Sequence, residues 1–203
     1  MCSSDLGKAE FRKADLFETD FSKATVITMF LLPDINLKLR PKILNMKPGT
    51  RIVSNTFTMG EWKDDDTATV EENQGCSYYC TAHLWIVPAK VAGTWQMAQG
   101  ELTLTQEFQM LGGSLKSGDK SLPLRDARMR GEFIHFNAGG VDYAGRVNGN
   151  SMSGTIGGAV AHEWTLEVDT TPPLPVRERS KSAADTPAAA ASPVMWSPIP
   201  PRW

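Results

Sequence analysis

The chain has 203 residues, 41% hydrophobic and 22% charged, a globular composition long enough for one domain or two small ones. Lys and Arg number 21 against 23 Asp and Glu, so a net charge of −2 offers no basic field, and neither nucleic acid nor a membrane is an expected partner. Three cysteines, at positions 2, 76 and 80, make no disulfide framework, and no run nears the ~20 apolar residues of a membrane span.

The opening Met-Cys-Ser-Ser-Asp-Leu has neither the basic flank nor the apolar stretch of a signal peptide. The chain therefore reads as soluble and, by default, cytoplasmic. The same residues reverse-translate as GTG TGC TCT TCC GAT CTN, the end of a common sequencing-library adapter, so residues 1–6 are expected to be adapter-derived and the gene's own reading to start near Gly7. An export signal upstream of that point would then be lost.

From Gly7 the text alternates between strand and helix. Residues 24–32, Ala-Thr-Val-Ile-Thr-Met-Phe-Leu-Leu, form a nearly continuous apolar run with β-branched residues at its start, as expected of a central strand covered on both faces. Pro33 ends it and Asp34 offers a helix N-cap, with Ile35, Leu39, Ile43 and Met46 near helical spacing. Pro41 lacks an amide hydrogen and predicts a break in that helix. Lys47-Pro48-Gly49 is a stop signal, and residues 50–57 are a second strand. Strand, helix, strand is the βαβ unit of a parallel sheet. Asp64-Asp65-Asp66 marks a surface turn before an antiparallel pair at 67–71 and 78–87.

After Pro88 the grammar is all-β. Short strand-like runs at 93–95, 101–111, 114–116, 131–137, 142–147, 151–156 and 163–168 are separated by Gly112-Gly113, Ser117-Gly118-Asp119, Gly139-Gly140 and Asn148-Gly149-Asn150. That pattern predicts a β-meander, a small sandwich or a partly closed barrel, with too few strands to enclose a large cavity. Eight of the 13 prolines fall in the last 33 residues, which have no glycine; residues 171–203 read as a disordered tail unable to repay its ordering entropy.

Residues 11–20 (Phe-Arg-Lys-Ala-Asp-Leu-Phe-Glu-Thr-Asp), 24–33 and 44–54 together resemble the second half of class I S-adenosylmethionine-dependent methyltransferases, most closely bacterial relatives of Rossmann-type protein-lysine methyltransferases. The resemblance covers about residues 7–90. It implies a partial Rossmann-like methyltransferase sheet with later strands only over 7–90, which with the antiparallel β domain over 91–170 and the tail makes an α+β chain. It further implies that Asp15 accepts a hydrogen bond from the adenine amino group of S-adenosyl-L-methionine, that the Leu16 amide meets the adenine ring, and that Phe30 borders the methyl-transfer site. Read alone, Asp15 is a solvated or capping residue and Phe30 a strand end. No general base is assignable.

The family's glycine-rich loop, which holds the methionine end of the cofactor, has no counterpart in these residues. The glycine pairs at 112, 139 and 157 form no Gly-x-Gly-x-x-Gly before a helix and read as turns. The expectation is a truncated methyltransferase, inactive by itself, whose parent transfers a methyl group to a protein lysine or small-molecule acceptor. The alternative is a non-enzymatic barrel-like binding module fused to a methyltransferase remnant. Cys76, Cys80 and His83 offer three soft ligands without a second Cys pair, a poor metal site. If extended, the two cysteines stand about 13 Å apart, so a disulfide needs a turn between them. His135, His162, Ser151 and Ser153 stand without catalytic partners in the sequence.

Overall fold

The computed structural model describes residues 9–71, 74–97, 100–157 and 162–168; the readings made for residues 1–6 and 171–203 lie outside them. Strand β1 (Val26–Met29), helix α1 (Pro33–Ile43) and strand β2 (Arg51–Asn55) form the expected βαβ unit, β1 and β2 running parallel in the register Val26 to Arg51 through Met29 to Ser54. Strands β3 (Asp66–Thr69) and β4 (Thr81–Ile86) are antiparallel to each other, β4 also pairs antiparallel with β2, and the sheet order is β1-β2-β4-β3.

Three local expectations are corrected. Strand β1 is not covered on both faces: its residues alternate between exposed and half-buried, and among the described residues it pairs with β2 alone, at the edge of the sheet. The helix is capped by Leu32 and not Asp34, since Pro33 takes the first helical position, where its missing N–H costs nothing, and the Leu32 carbonyl accepts from the Ile35 and Asn36 amides. Pro41 does not break the helix. It falls in the last turn, where one hydrogen bond is forfeited and little helix remains to kink.

One face of α1 carries Asn36, Leu39 and Ile43 into a core with Met46, Ile52, Met59, Trp62, Trp85 and Val87. Trp85 donates through Nε1 to the Trp62 carbonyl at 2.8 Å, fixing the two indoles at 6.3 Å between centroids.

The second half closes completely. Strands β5 (Gly93–Met97), β6 (Gly100–Glu107), β7 (Met110–Ser117), β8 (Lys120–Arg130), β9 (Phe133–Ala138), β10 (Val141–Asn148), β11 (Ser151–Ile156) and β12 (His162–Val168) pair in sequence order, and β12 returns to β5 to seal an antiparallel barrel. The interior is filled by side chains including Trp95, Leu102, Met129, Phe136, Met152 and Trp164. A barrel of eight strands is just wide enough for that.

Two strand boundaries differ from expectation for a tertiary reason. The run 101–111 folds into a hairpin at Phe108-Gln109, Phe108 taking a φ of 53°. Its ring stacks on Trp62 at 6.1 Å, and Gln109 donates to the Lys63 carbonyl at 2.7 Å, so packing against the first core overrides poor turn chemistry. Gly112-Gly113 is then no turn but an irregularity inside β7, where a Cβ on Gly113 would lie 1.9 Å from the Thr103 carbonyl oxygen. Strand β8, with Pro123 and five Lys, Arg or Asp residues, was not expected, because its polar side chains face outward from a wall with only one buried side. Gly118, Gly139, Gly140 and Gly149 make the predicted hairpin turns at positive φ.

The two halves are joined through more than the chain. Besides Phe108 and Gln109, the Ala89 amide donates to the Gly131 carbonyl at 2.8 Å, and Gln106 spans from the Val91 amide to the Ala89 carbonyl.

Candidate functional site

Open α/β sheets bind ligands beyond the carboxyl ends of their parallel strands. At that end of β1 lies Phe30, 54% exposed, stacked on Phe57 at 5.7 Å and met edge-on by Tyr79 at 5.1 Å. Phe57 follows the end of β2, and Tyr79 is brought in by a loop closed by a disulfide between Cys76 and Cys80. The Cα atoms of that pair are 5.8 Å apart because the chain bends between them, with Tyr79 at a φ of 57°. The turn demanded by the cysteine spacing is therefore present. With both thiols joined, the Cys76, Cys80 and His83 ligand set falls away, and no group of His, Cys, Asp or Glu among the described residues could hold a metal.

Asp15 is exposed at a turn and accepts the Phe17 amide on Oδ1 at 2.7 Å, while its carbonyl accepts the Thr19 amide. Leu16 is 39% exposed beside it. Lys42, in the last turn of α1, donates to the Phe17 and Thr19 carbonyls and sits 4.6 Å from the Phe21 ring centroid, tying this turn to the helix. No hydrogen bond or ring contact among the described residues joins Asp15 or Leu16 to Phe30. Asp15 thus performs the capping role, with Oδ2 left to accept another donor.

Two polar networks escaped the sequence reading. Asn36 is fully buried, and its amide nitrogen faces the Ser54 hydroxyl at 3.5 Å and the Phe57 and Thr58 carbonyls at 3.3 and 3.2 Å, pinning the loop after β2 to α1; its Oδ1 lacks a donor. Ser54 donates to the Phe57 carbonyl and is itself buried, so it is no nucleophile. The signal was an amide side chain on the helix's buried stripe.

The second network turns the acidic run 64–66 from a mere surface turn into an anchor. Asp64 accepts from the Thr67 hydroxyl and lies 2.8 Å from His83 Nδ1. Burial pushes its carboxyl upward, but the Thr67 and His83 hydrogen bonds outweigh that and hold it below the ordinary value. The Asp65 side chain is buried, accepts the Ile86 amide at 2.7 Å, and has Arg128 of the barrel 3.7 Å from its Oδ1. Burial raises its carboxyl despite the Ile86 bond and the nearby Arg128 and Arg130.

Residues 3–66 match the model of the ANTKMT methyltransferase domain. The chain is 45% identical over 67 residues to a protein-lysine N-methyltransferase of Saccharolobus islandicus, a match covering 32% of this chain and 42% of that relative. It is also similar to the crystal structure of an RNA methyltransferase from Salinibacter ruber in complex with S-adenosyl-L-homocysteine, at 43% identity over 40% of this chain and 49% of that one, with a TM-score of 0.35. The match thus spans less than half the length of either relative.

Proposed function

With residues 3–66 of S-adenosylmethionine-dependent methyltransferase type, we propose that β1, α1, β2, β4 and β3 are the later part of a Rossmann-like methyltransferase sheet whose reaction is methyl transfer to a protein lysine amine. The observation that carries the fold reading is the parallel β1–β2 pair across α1 followed by two antiparallel strands, the order that the resemblance implies for the last part of that sheet. The lysine acceptor rests on the Saccharolobus relative, whose name states that substrate.

The residues present fit the adenine end of S-adenosyl-L-methionine and not its methionine end. Asp15 keeps one carboxylate oxygen for an amino group, and the Leu16 amide adjoins it, whereas no glycine-rich loop occurs in the 203 residues. The cofactor, when bound, supplies an activated methyl on a sulfonium, so that positioning of the acceptor is the protein's main task. Phe30, Phe57 and Tyr79, clustered beyond the parallel strands, are the side chains this reading assigns to that task. The exposed rings of Phe30 and Tyr79, backed by half-buried Phe57, suit the aliphatic stem and ammonium of a lysine. On this reading the 203 residues alone neither bind the cofactor measurably nor turn over.

The test supplies the methionine-end residues. A chimaera in which the N-terminal part of the Saccharolobus relative precedes Gly7 is expected to transfer radiolabelled methyl to lysines of a mixed protein substrate. Label appearing in RNA and not in protein would refute the lysine acceptor; a folded chimaera that binds no cofactor would refute the methyltransferase sheet.

A further inference from the structure

The methyltransferase reading leaves unused the outer wall of the barrel over β8, β9, β10 and β11. Alternation decides what that wall presents: Met129, Ile134, Phe136 and Val147 point into the core, so their neighbours point out. Register then aligns the outward residues in two rows across the strands, Arg130–Phe133–Arg146 and Arg128–His135–Ala144. A cleft of about 600 Å³ lies over both rows. It continues past Arg130, Phe133 and Arg146 into another of about 630 Å³, to which the loop before β2 adds Lys47 and β2 adds Arg51.

The charge of this wall is opposite to that of the chain. Five permanent cations line the two clefts, and the carboxylate among their lining residues is Glu132, held by Arg146 at 2.6 Å. At the margins, buried Asp65 faces Arg128, and Asp142 lies 3.9 Å from His135. Lys47, Arg51 and Arg130 have no ion-pair partner within 4.0 Å among the described residues. Phe133 is 61% exposed between the arginines, with the Arg146 guanidinium 5.9 Å from its centroid.

We propose that this wall binds single-stranded nucleic acid, phosphates running along the arginine rows and a base stacking on Phe133. Each feature selects among polyanions. Arginine forks match phosphate oxygens in pairs. An open sheet face with an exposed ring among cations is the arrangement on which unpaired bases stack. A run of glutamates would satisfy the arginines and leave Phe133 with nothing to cover it; a duplex would offer phosphates but no free base face. The net charge of −2, from which nucleic acid was not expected, averages over this wall and conceals it.

Fluorescence anisotropy of a labelled 12-nucleotide uridine oligomer with the full 203-residue chain tests the proposal. The expected result is binding at 50 mM salt that weakens at least tenfold by 200 mM, as counterion release requires. Phe133→Ala should weaken it about 5- to 150-fold, the range for losing one stacked base, while Phe133→Trp retains it. Phe133 is exposed, so both variants are expected to keep the parent's far-ultraviolet circular dichroism. For the pair Arg128→Gln and Arg130→Gln, a shallower salt dependence is the supporting result and an unchanged one refutes the arginine rows. Absence of binding at 50 mM salt, equal competition by poly-glutamate or by a duplex of the same length, or unchanged affinity in a folded Phe133→Ala variant would each overturn the proposal.

Discussion

Neighbouring aspartates in one acidic run have opposite electrostatic roles. Asp64 is held below its ordinary value, so the stability it contributes is complete above the unfolded value of ~3.9 and is lost as pH falls through the folded one. Asp65 is raised, so its contribution is present below ~3.9 and is lost as pH rises through its folded value. Melting curves from pH 3 to pH 7 should separate them. Relative to the parent, Asp64→Asn should become progressively more destabilising toward pH 7, and Asp65→Asn progressively less so; parallel behaviour of the two variants would contradict the assignment. Gly113 offers an uncharged test at the same scale. Its Cβ-sized gap is filled by the Thr103 carbonyl at φ 134°, and Gly113→Ala should cost on the order of 1–3 kcal/mol in urea unfolding.

Among the elements, β12 closes the barrel onto β5 and anchors it with one buried indole. Among the described residues it pairs with β5 through Glu167 with Gln96 and Val168 with Trp95, and Trp164 is buried in the core and reaches Phe136 at 6.4 Å. Trp164→Ala should therefore cost about 3–5 kcal/mol and raise amide exchange first along β5 and β12. An intact seam with uniform exchange would show that the barrel is held elsewhere. The hairpins of this half were legible because Gly139-Gly140 and Asn148-Gly149 carry their turn chemistry locally. The Phe108 turn was not, since its cause is Trp62, distant in sequence. The same cause hid Asn36, whose burial follows from the loop after β2.

For the whole molecule, the sequence showed a βαβ unit, an antiparallel pair and an all-β second half, and the structure has all three. Periodicity could not tell that β1 is covered on one face only, because a nearly continuous apolar run carries no alternation to show it. Nor could composition show that cations gather on one barrel wall, since register, not sequence adjacency, aligns Arg130 with Arg146 across β9. The candidate site was legible only through resemblance, which implied Asp15, Leu16 and Phe30: the structure sets Phe30 against Phe57 and Tyr79 and has Asp15 cap its own turn, and Phe57 and Tyr79 arrive from loops whose closure no spacing revealed.

On the proposed function, these 203 residues hold part of a methyltransferase sheet without a glycine-rich loop to grip the methionine end of the cofactor. Isothermal titration of S-adenosyl-L-methionine into the folded chain tests it most directly. No saturable heat is the expected result, whereas specific, stoichiometric binding by the chain as it stands would contradict the proposed function.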